Sequence, residues 1–254
     1  MIVIKTPQEI AVMRRACQVA ALALADVARA VRPGITTREL DRLAEDRIRE
    51  LGGVPSFLGY RGFPASLCVS VNDEVVHGIP GRRRLREGEI VSLDLGAIVE
   101  GFHGDLATTL PVGRVPEDLR RLLQVAEEAL EEGIRAVRPG GRLGDVGAAI
   151  QRHAERHGYS VVRDFAGHGV GRRLHEEPQV PNFGRPGNGV VLRPGMTLAI
   201  EPMVNAGTHE VTVDPDGWTV RTRDHKPSAH FEHTVAVSEA GADVLTRLPE
   251  DASV

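Results

Sequence analysis

The sequence predicts an α+β fold of two similar halves, each with two helices followed by a strand-rich part. The tetrapeptide VRPG stands at residues 31–34 and again at 137–140, each time after a long amphipathic helix. Further on, LREG at 85–88 recurs as LRPG at 192–195, each time before an apolar run that ends in a carboxylate. The offset is 106 residues for the first pair and 107 for the second. This agreement favours an internal duplication, although turn-helix-turn-strand is a common order that can also match by chance.

Helical periodicity predicts the opening elements of each half. Apolar residues recur at steps of three and four from Ile10 to Val31, and Thr6-Pro7-Gln8-Glu9 in front of them is typical of a capping box with proline at the first helical position. We therefore expect long helices at 7–31 and about 117–137. A shorter helical run follows each of them, through Ala44-Glu45 and through Ala154-Glu155.

Apolar runs bounded by turn residues predict the strands. Asp94 and Asp105 should flank a hairpin that turns near residues 100–101. A linker rich in Ser, Asn or Gly is missing, so we expect one domain over 1–254 with halves at about 1–113 and 114–254. The predicted strands are 67–71, 90–99, 106–112, 159–163, 197–204, 218–221 and 233–237.

Composition excludes several classes of protein. The 254 residues are 41% hydrophobic and 26% charged with a net charge of -4, which argues against disorder and against a dedicated nucleic-acid binder. Two cysteines cannot form a disulfide framework or a cysteine metal site, so a reducing cytoplasm is the expected compartment. The apolar stretch after Arg14-Arg15 is too short to span a membrane. The basic run at 82–84 with Arg86 is typical of a solvated hairpin; weak contact with nucleic acid or the ribosome is the alternative.

Carboxylates occur where a buried core is expected. Asp94 and Glu201 end apolar runs, Asp105 precedes a β-like run, and Glu232 lies between Phe231 and another such run. A single acid of this kind more often faces solvent at a strand edge. If the duplication brings four together, two carboxylates ~4 Å apart repel by about 4 kcal/mol at an effective dielectric of about 20. Two divalent ions would balance their four negative charges, so the pattern predicts a dinuclear metal site.

Histidines add candidate ligands. His168 stands between glycines, which allow close approach of a ligand, although a satisfied loop histidine has the same appearance. His77 and His175 each lie in a turn-rich segment that can face a pocket. The HEEP segment at 175–178 is not a zincin helix, because the second histidine is missing and proline interrupts it. A phosphate-binding loop and the Gly-x-Ser-x-Gly nucleophile motif are also missing from the sequence.

One family is matched over nearly the whole chain, by the segments 57–64, 72–80, 91–96, 103–105, 167–171, 175–178, 199–202 and 231–234. With these segments the chain resembles the type I methionine aminopeptidases of bacteria. That family has the pita-bread fold: two pseudo-symmetric halves around a curved antiparallel sheet with helices outside.

The resemblance implies removal of N-terminal methionine when the second residue is small, by hydrolysis at two divalent ions. Cobalt, manganese or iron would suit a ligand set rich in oxygen. The resemblance also implies that Asp105 and Glu232 bridge both ions, that Asp94 chelates the second ion, and that His168 and Glu201 hold the first. Glu201 would also move a proton. The implied substrate residues are His77 and His175 around the scissile amide, and Tyr60, Phe63, Cys68 and Trp218 in the methionine pocket.

Some expectations are less specific. Phe63 and Leu174 stand where the family often has a tyrosine and another aromatic, which would change the shape of the pocket. By analogy, a sodium or potassium ion is expected near Asn72 and Ser228. We expect a monomer that acts on nascent polypeptides, without a membrane contact and with at most transient contact with the ribosome. The alternatives are an Xaa-Pro peptidase and a metal-free binding module of the same fold; the first usually has a substantial N-terminal domain, and the second should have lost ligands.

Overall fold

The computed structural model describes residues 1–248, so residues 249–254 of the second predicted half lie outside it. The described chain is α+β, as predicted. Its helices are α1 (Pro7–Ala30), α2 (Thr37–Glu50), α3 (Glu117–Ala136) and α4 (Leu143–Arg156), with a 3-10 turn at Tyr60–Gly62. Its strands are β1 (Val54–Pro55), β2 (Leu67–Val71), β3 (Glu74–Val76), β4 (Ile90–Val99), β5 (Phe102–Pro111), β6 (Ser160–Val161), β7 (Gly167–Gly169), β8 (Glu176–Val180), β9 (Thr197–Ile200), β10 (Met203–Asn205), β11 (Val211–Val213), β12 (Val220–Thr222), β13 (Ser228–His230), β14 (Glu232–Ser238) and β15 (Gly241–Val244).

The first helix begins as its sequence predicts. The Thr6 hydroxyl accepts a hydrogen bond from the Glu9 N–H at 3.2 Å, and the Glu9 carboxylate accepts one from the Thr6 N–H at 3.0 Å. Thr36 and Glu39 form a second capping box at the start of α2. Each box satisfies backbone donors that the first helical turn leaves free.

The main sheet is antiparallel and joins strands from both halves. Its order is β1-β4-β5-β14-β9-β7-β8, with β2 also paired to β4 and β15 to β14. Two three-stranded sheets, β13-β10-β6 and β11-β12-β3, lie beside it. The centre of the main sheet is therefore the pair β5–β14, flanked by β4 from the first half and β9 from the second.

The order of elements follows the predicted repeat. The helix pair α1–α2 precedes β4, and the pair α3–α4 precedes β9. Whether the halves arose by duplication remains a prediction.

Helices cover one face of this sheet. Leu93 and Leu95 on β4 are fully buried in a cluster with Leu24 of α1 and Leu40 of α2. Side chains alternate along a strand, so Asp94 points to the opposite face. The same alternation that builds the core thus directs a carboxylate away from it.

The predicted strand at 197–204 is interrupted, which corrects the sequence prediction. β9 ends at Ile200, and β10 begins at Met203 in a different sheet. Pro202 has no N–H for a ladder hydrogen bond, which explains the break beside Glu201. The predicted strand at 106–112 begins earlier, at Phe102, and several short strands were missed because three residues carry too little periodicity to be recognised.

Candidate active site

Four carboxylates meet on neighbouring strands of the main sheet. Asp94 and Glu232 both pair with Ala107, so they lie in one row across β4, β5 and β14. Asp105 is two residues from Ala107 on β5 and therefore shares its face. Glu201 follows the end of β9, next to β14. Asp94, Asp105 and Glu232 are at most 9% exposed. The structure thus brings together all the acids that the sequence singled out.

His168 of β7 completes this carboxylate cluster. Its Nε2 lies 3.4 Å from Glu201 Oε1 and 3.8 Å from Asp105 Oδ2. The ligand atoms of Asp105, His168 and Glu232 lie within 4.8 Å of one another. His168 Nδ1 lies 2.9 Å from the Gly169 carbonyl oxygen, which can only accept, so the proton is on Nδ1 and the Nε2 lone pair faces the carboxylates. A lone pair beside carboxylate oxygens is favourable when a cation lies between them.

The buried oxygens of the cluster fit a cation for a second reason. Asp94 Oδ1, Asp105 Oδ1 and Glu232 Oε1 have no hydrogen-bond partner among the described residues. Burial raises the pKa of Asp105 to about 7. Burial, followed by the charge of Asp105, raises the pKa values of Asp94, Glu201 and Glu232 well above their usual range. Orphaned, mutually repelling carboxylates with one imidazole are the donor set of a divalent-metal centre.

The cluster forms the base of a pocket of about 130 Å³. Its walls are apolar and aromatic, with the Phe63 and Trp218 rings in edge contact at 5.1 Å between centroids. Trp218 lies in the turn between β11 and β12, where the Asp216 carboxylate accepts a hydrogen bond from its backbone N–H at 2.8 Å. The lining residues include every site residue predicted from the sequence: Tyr60, Phe63, Cys68, His77, Asp94, Asp105, His168, His175, Glu201, Trp218 and Glu232.

The two predicted substrate histidines both line this pocket, one beside Trp218 and one beside Tyr60. The His77 ring makes an edge contact with Trp218 at 6.3 Å between centroids, and His175 Nδ1 lies 2.8 Å from the Tyr60 hydroxyl. Burial lowers the pKa of His77 to about 4, and burial together with His168 lowers that of His175 well below its usual range. Both imidazoles are therefore neutral near pH 7, which suits groups that donate and accept hydrogen bonds at an amide.

Sequence reasoning missed two residues at the site, Phe57 and Arg61. Both line the pocket, as does Leu174, which the sequence had already linked to the shape of the pocket. Arg61 has φ of 50° between Gly59 and Gly62, so these two glycines were a signal of a tight turn at the pocket. All three lie in or beside segments that carry the resemblance.

Two buried polar residues beside Glu201 were also missed. His230 is 1% exposed, and its Nε2 lies 3.9 Å from Glu201 Oε2. Asn182 donates from Nδ2 to the Glu201 backbone carbonyl at 3.0 Å. His230 directly precedes the Phe231-Glu232 motif, which was the available signal.

Two further expectations concern residues outside the pocket. Asn72 and Ser228 are adjacent, because the Ser228 N–H donates to the Asn72 carbonyl at 2.9 Å. In the basic run, Arg83 forms ion pairs with Glu74 and Glu89 at 3.0 and 3.2 Å. Within residues 1–248, no helix is long and apolar enough to cross a membrane.

Comparisons with known proteins agree with this geometry. The model of metallopeptidase family M24 matches residues 11–239. Methionine aminopeptidase 1 of Bacillus subtilis is 52% identical over 248 residues, which cover 98% of this chain and 100% of that protein. The solved structure of methionine aminopeptidase from Thermotoga maritima has a TM-score of 0.96 at 49% identity and covers 98% of this chain and 100% of its own. A prolidase from Pyrococcus furiosus has a TM-score of 0.77 at 23% identity over 97% of this chain and 66% of its own, a likeness of fold alone. The predicted pita-bread fold is thereby confirmed.

Proposed function

Because the chain belongs to metallopeptidase family M24 and is a metal-dependent hydrolase, we propose that it removes N-terminal methionine from polypeptides whose second residue is small. The observation that carries the proposal is the composition of the pocket. Unpaired carboxylate oxygens and the His168 lone pair lie at its base, and apolar walls stand beside them. Methionine is unbranched and polarizable, so it fills such irregular apolar space well.

The metal ligands in this proposal are Asp94, Asp105, His168, Glu201 and Glu232. Two divalent ions would balance the four carboxylates. The set has four carboxylates, one imidazole and no thiolate. Such a set suits manganese, iron or cobalt, and it differs from the ligand set of a closed structural zinc site. Bound there, the ions would polarise the scissile carbonyl and activate the attacking water. Asp105 and Glu232 are on the two central strands, a position that supports their assignment as the bridging ligands.

The remaining residues act on the peptide. A Tyr60 hydroxyl that donates to His175 Nδ1 leaves the His175 Nε2–H to donate to the substrate. His77 holds the other side of the amide as a neutral imidazole. Glu201, whose pKa burial raises, takes a proton from the attacking water and delivers it to the leaving amine. Tyr60, Phe63, Cys68 and Trp218 surround the methionine side chain.

The test is release of the first residue from Met-Ala-Ser, Met-Leu-Ser and Gly-Pro-Ala, each with chelator and with added manganese or cobalt. We expect metal-dependent release from Met-Ala-Ser, much slower release from Met-Leu-Ser and no cleavage of Gly-Pro-Ala. Glu232→Gln should abolish turnover, whereas Glu239→Gln, the same change at an exposed acid just beyond the same strand, should keep it. Faster cleavage of Gly-Pro-Ala would favour an Xaa-Pro peptidase, and full activity of Glu232→Gln would contradict the metal assignment.

The cellular setting is part of the same proposal. The protein acts as a monomer in the cytoplasm, and its partners are the N-termini of nascent polypeptides. Transient contact with the ribosome through residues 82–84 and Arg86 has the weakest support, because Arg83 is already paired with two carboxylates.

A sodium or potassium ion near Asn72 and Ser228 is a further part of the proposal. The closeness of these two residues supports it, and it would use backbone carbonyls of their segments. A rise in melting temperature with potassium chloride that tetramethylammonium chloride does not reproduce would test it; equal effects of both salts would count against it.

A further inference from the structure

A buried ion pair outside the pocket connects the start of the chain to the segment that carries His175. Lys5 Nζ lies 2.7 Å from Glu176 Oε2, and both side chains are 3% exposed. The two residues are 171 positions apart in sequence. Most ion pairs of the described chain are at least partly exposed, so this one differs from them in burial. Neither residue lines the pocket.

Glu176 also closes a tight turn. Its Oε1 accepts the Arg173 N–H at 3.1 Å, so the carboxylate spans the two residues between them, Leu174 and His175. Both of those residues line the pocket. One carboxylate oxygen therefore shapes the turn, while the other binds Lys5. The backbone of Glu176, at the start of β8, pairs with Gly169 of β7, which is next to the proposed ligand His168.

Lys5 is itself held in place. Its backbone N–H donates to the Gly195 carbonyl at 2.8 Å, which fixes the segment before α1. The space around the pair is narrow, since a Cβ at Gly171 would lie 2.6 Å from Lys5 Cε and 2.7 Å from Glu176 Oε1. Nearly all cations of this chain are arginine, and Lys5 is one of only two lysines. A slim ammonium side chain fits this space, whereas a planar guanidinium is wider.

We propose that Lys5 and Glu176 are positioning residues that hold the turn at 173–176 so that His175 and Leu174 face the substrate. The inference rests on the proposed function for its catalytic consequence. Without Lys5, Glu176 would be a buried carboxylate without a counter-charge, which is strongly unfavourable. The carboxylate would move toward water and release the Arg173 N–H. A displacement of about 1 Å in a substrate-contacting group can cost about 10²-fold in rate.

The experiment compares Lys5→Met, Glu176→Gln, the double variant and Arg14→Met. Arg14 is the control for loss of a long-range ion pair that is partly exposed: it joins the first helix to a distant acid, Asp243, at 2.5 Å, and has no contact with Glu176. Hydrogen exchange of the Arg173 amide, metal binding by calorimetry and kcat on Met-Ala-Ser are measured well below each melting temperature. Lys5→Met should speed exchange at Arg173 and lower kcat by at least about tenfold, with metal affinity like that of the parent. Arg14→Met should change none of the three.

The double variant separates a positioning role from lost stability. Glutamine at 176 needs no counter-charge and can still accept the Arg173 N–H, so the double variant should regain most of the exchange protection and of kcat. In a His175→Ala background, Lys5→Met should cause a much smaller further loss of kcat, because most of its effect passes through His175 and only the remainder through Leu174. The same fold-loss in both backgrounds, or unchanged Arg173 exchange in Lys5→Met, would overturn the proposal.

Failure of the inference and failure of the function remain distinguishable. A parent protein that releases no methionine would overturn the proposed function, and the Arg173 exchange alone would then decide whether the pair holds the turn. An active parent with unchanged Lys5→Met kinetics and exchange would overturn the inference alone. If Lys5→Met does not fold, the double variant and Gly171→Ala, which crowds the intact pair, provide the same comparison.

Discussion

Replacing Asp105 with asparagine should change the stability of the metal-free protein and its affinity for metal in opposite directions. Asp105 is 3% exposed and belongs to the group whose ligand atoms lie within 4.8 Å of one another. Asparagine has nearly the same shape but carries no charge. The variant therefore tests the charge of the cluster with little change in its packing.

The magnitude follows from the pKa of Asp105. Burial raises it from 3.8 to about 7 in the folded protein. A raised pKa favours folding below about pH 4, and this contribution is lost as the pH rises through about 7. A rise of about three units corresponds to roughly 4 kcal/mol at pH 8. Metal-free Asp105→Asn should be more stable than the metal-free parent by up to that amount, or about 10 °C in melting temperature. At pH 5 the difference should be less than half as large.

With divalent metal present the order should reverse. Only three carboxylates would face the two ions, so at least one ion should bind more than tenfold more weakly. Calorimetric melting in chelator at pH 5 and pH 8, followed by metal titration, measures both effects. The control is His175→Ala, which should bind metal like the parent. The reasoning is refuted if metal-free Asp105→Asn gains no stability at pH 8, or if it binds both ions as tightly as the parent.

The remaining predictions concern the substrate residues and the core. His175→Ala should lower kcat on Met-Ala-Ser by ~10²–10³, as measured by peptide kinetics, and a loss of bound metal in that variant would show that its role was misassigned. Phe63→Ala removes a wall that contacts Trp218, so KM for Met-Ala-Ser should rise and Met release should become less selective against other apolar first residues; an unchanged KM would contradict this. Leu93→Ala empties a fully buried position and should lower the free energy of urea unfolding by about 2–5 kcal/mol, whereas Leu58→Ala, at a side chain 43% exposed, should stay within about 0.5 kcal/mol of the parent.

The features that the sequence determined by itself are local ones. Periodicity and the Thr6–Glu9 capping box predicted α1 to within one residue at its end, because helix formation depends on neighbours three and four positions apart. The ten-residue strand Ile90–Val99 was also predicted with its observed bounds. Every predicted site residue lines one pocket. The pattern of four acids and the resemblance to a known family pointed to these residues together, because any one acid or histidine alone has a commoner structural explanation.

Only the tertiary structure decided which groups meet and in what state. Asp94 meets Ala107 of β5 across a short hairpin, but Glu232 meets the same residue through the register between β5 and β14. Those two strands are more than 100 positions apart, and local patterns do not encode their register. The break of the strand beside Glu201 depends on β10 joining another sheet. The partnership of Lys5 with Glu176 is likewise invisible in sequence, because an ion pair is defined by distance and burial. Burial also decides that Asp105 and Glu232 have raised pKa values, since desolvation is a property of the folded protein.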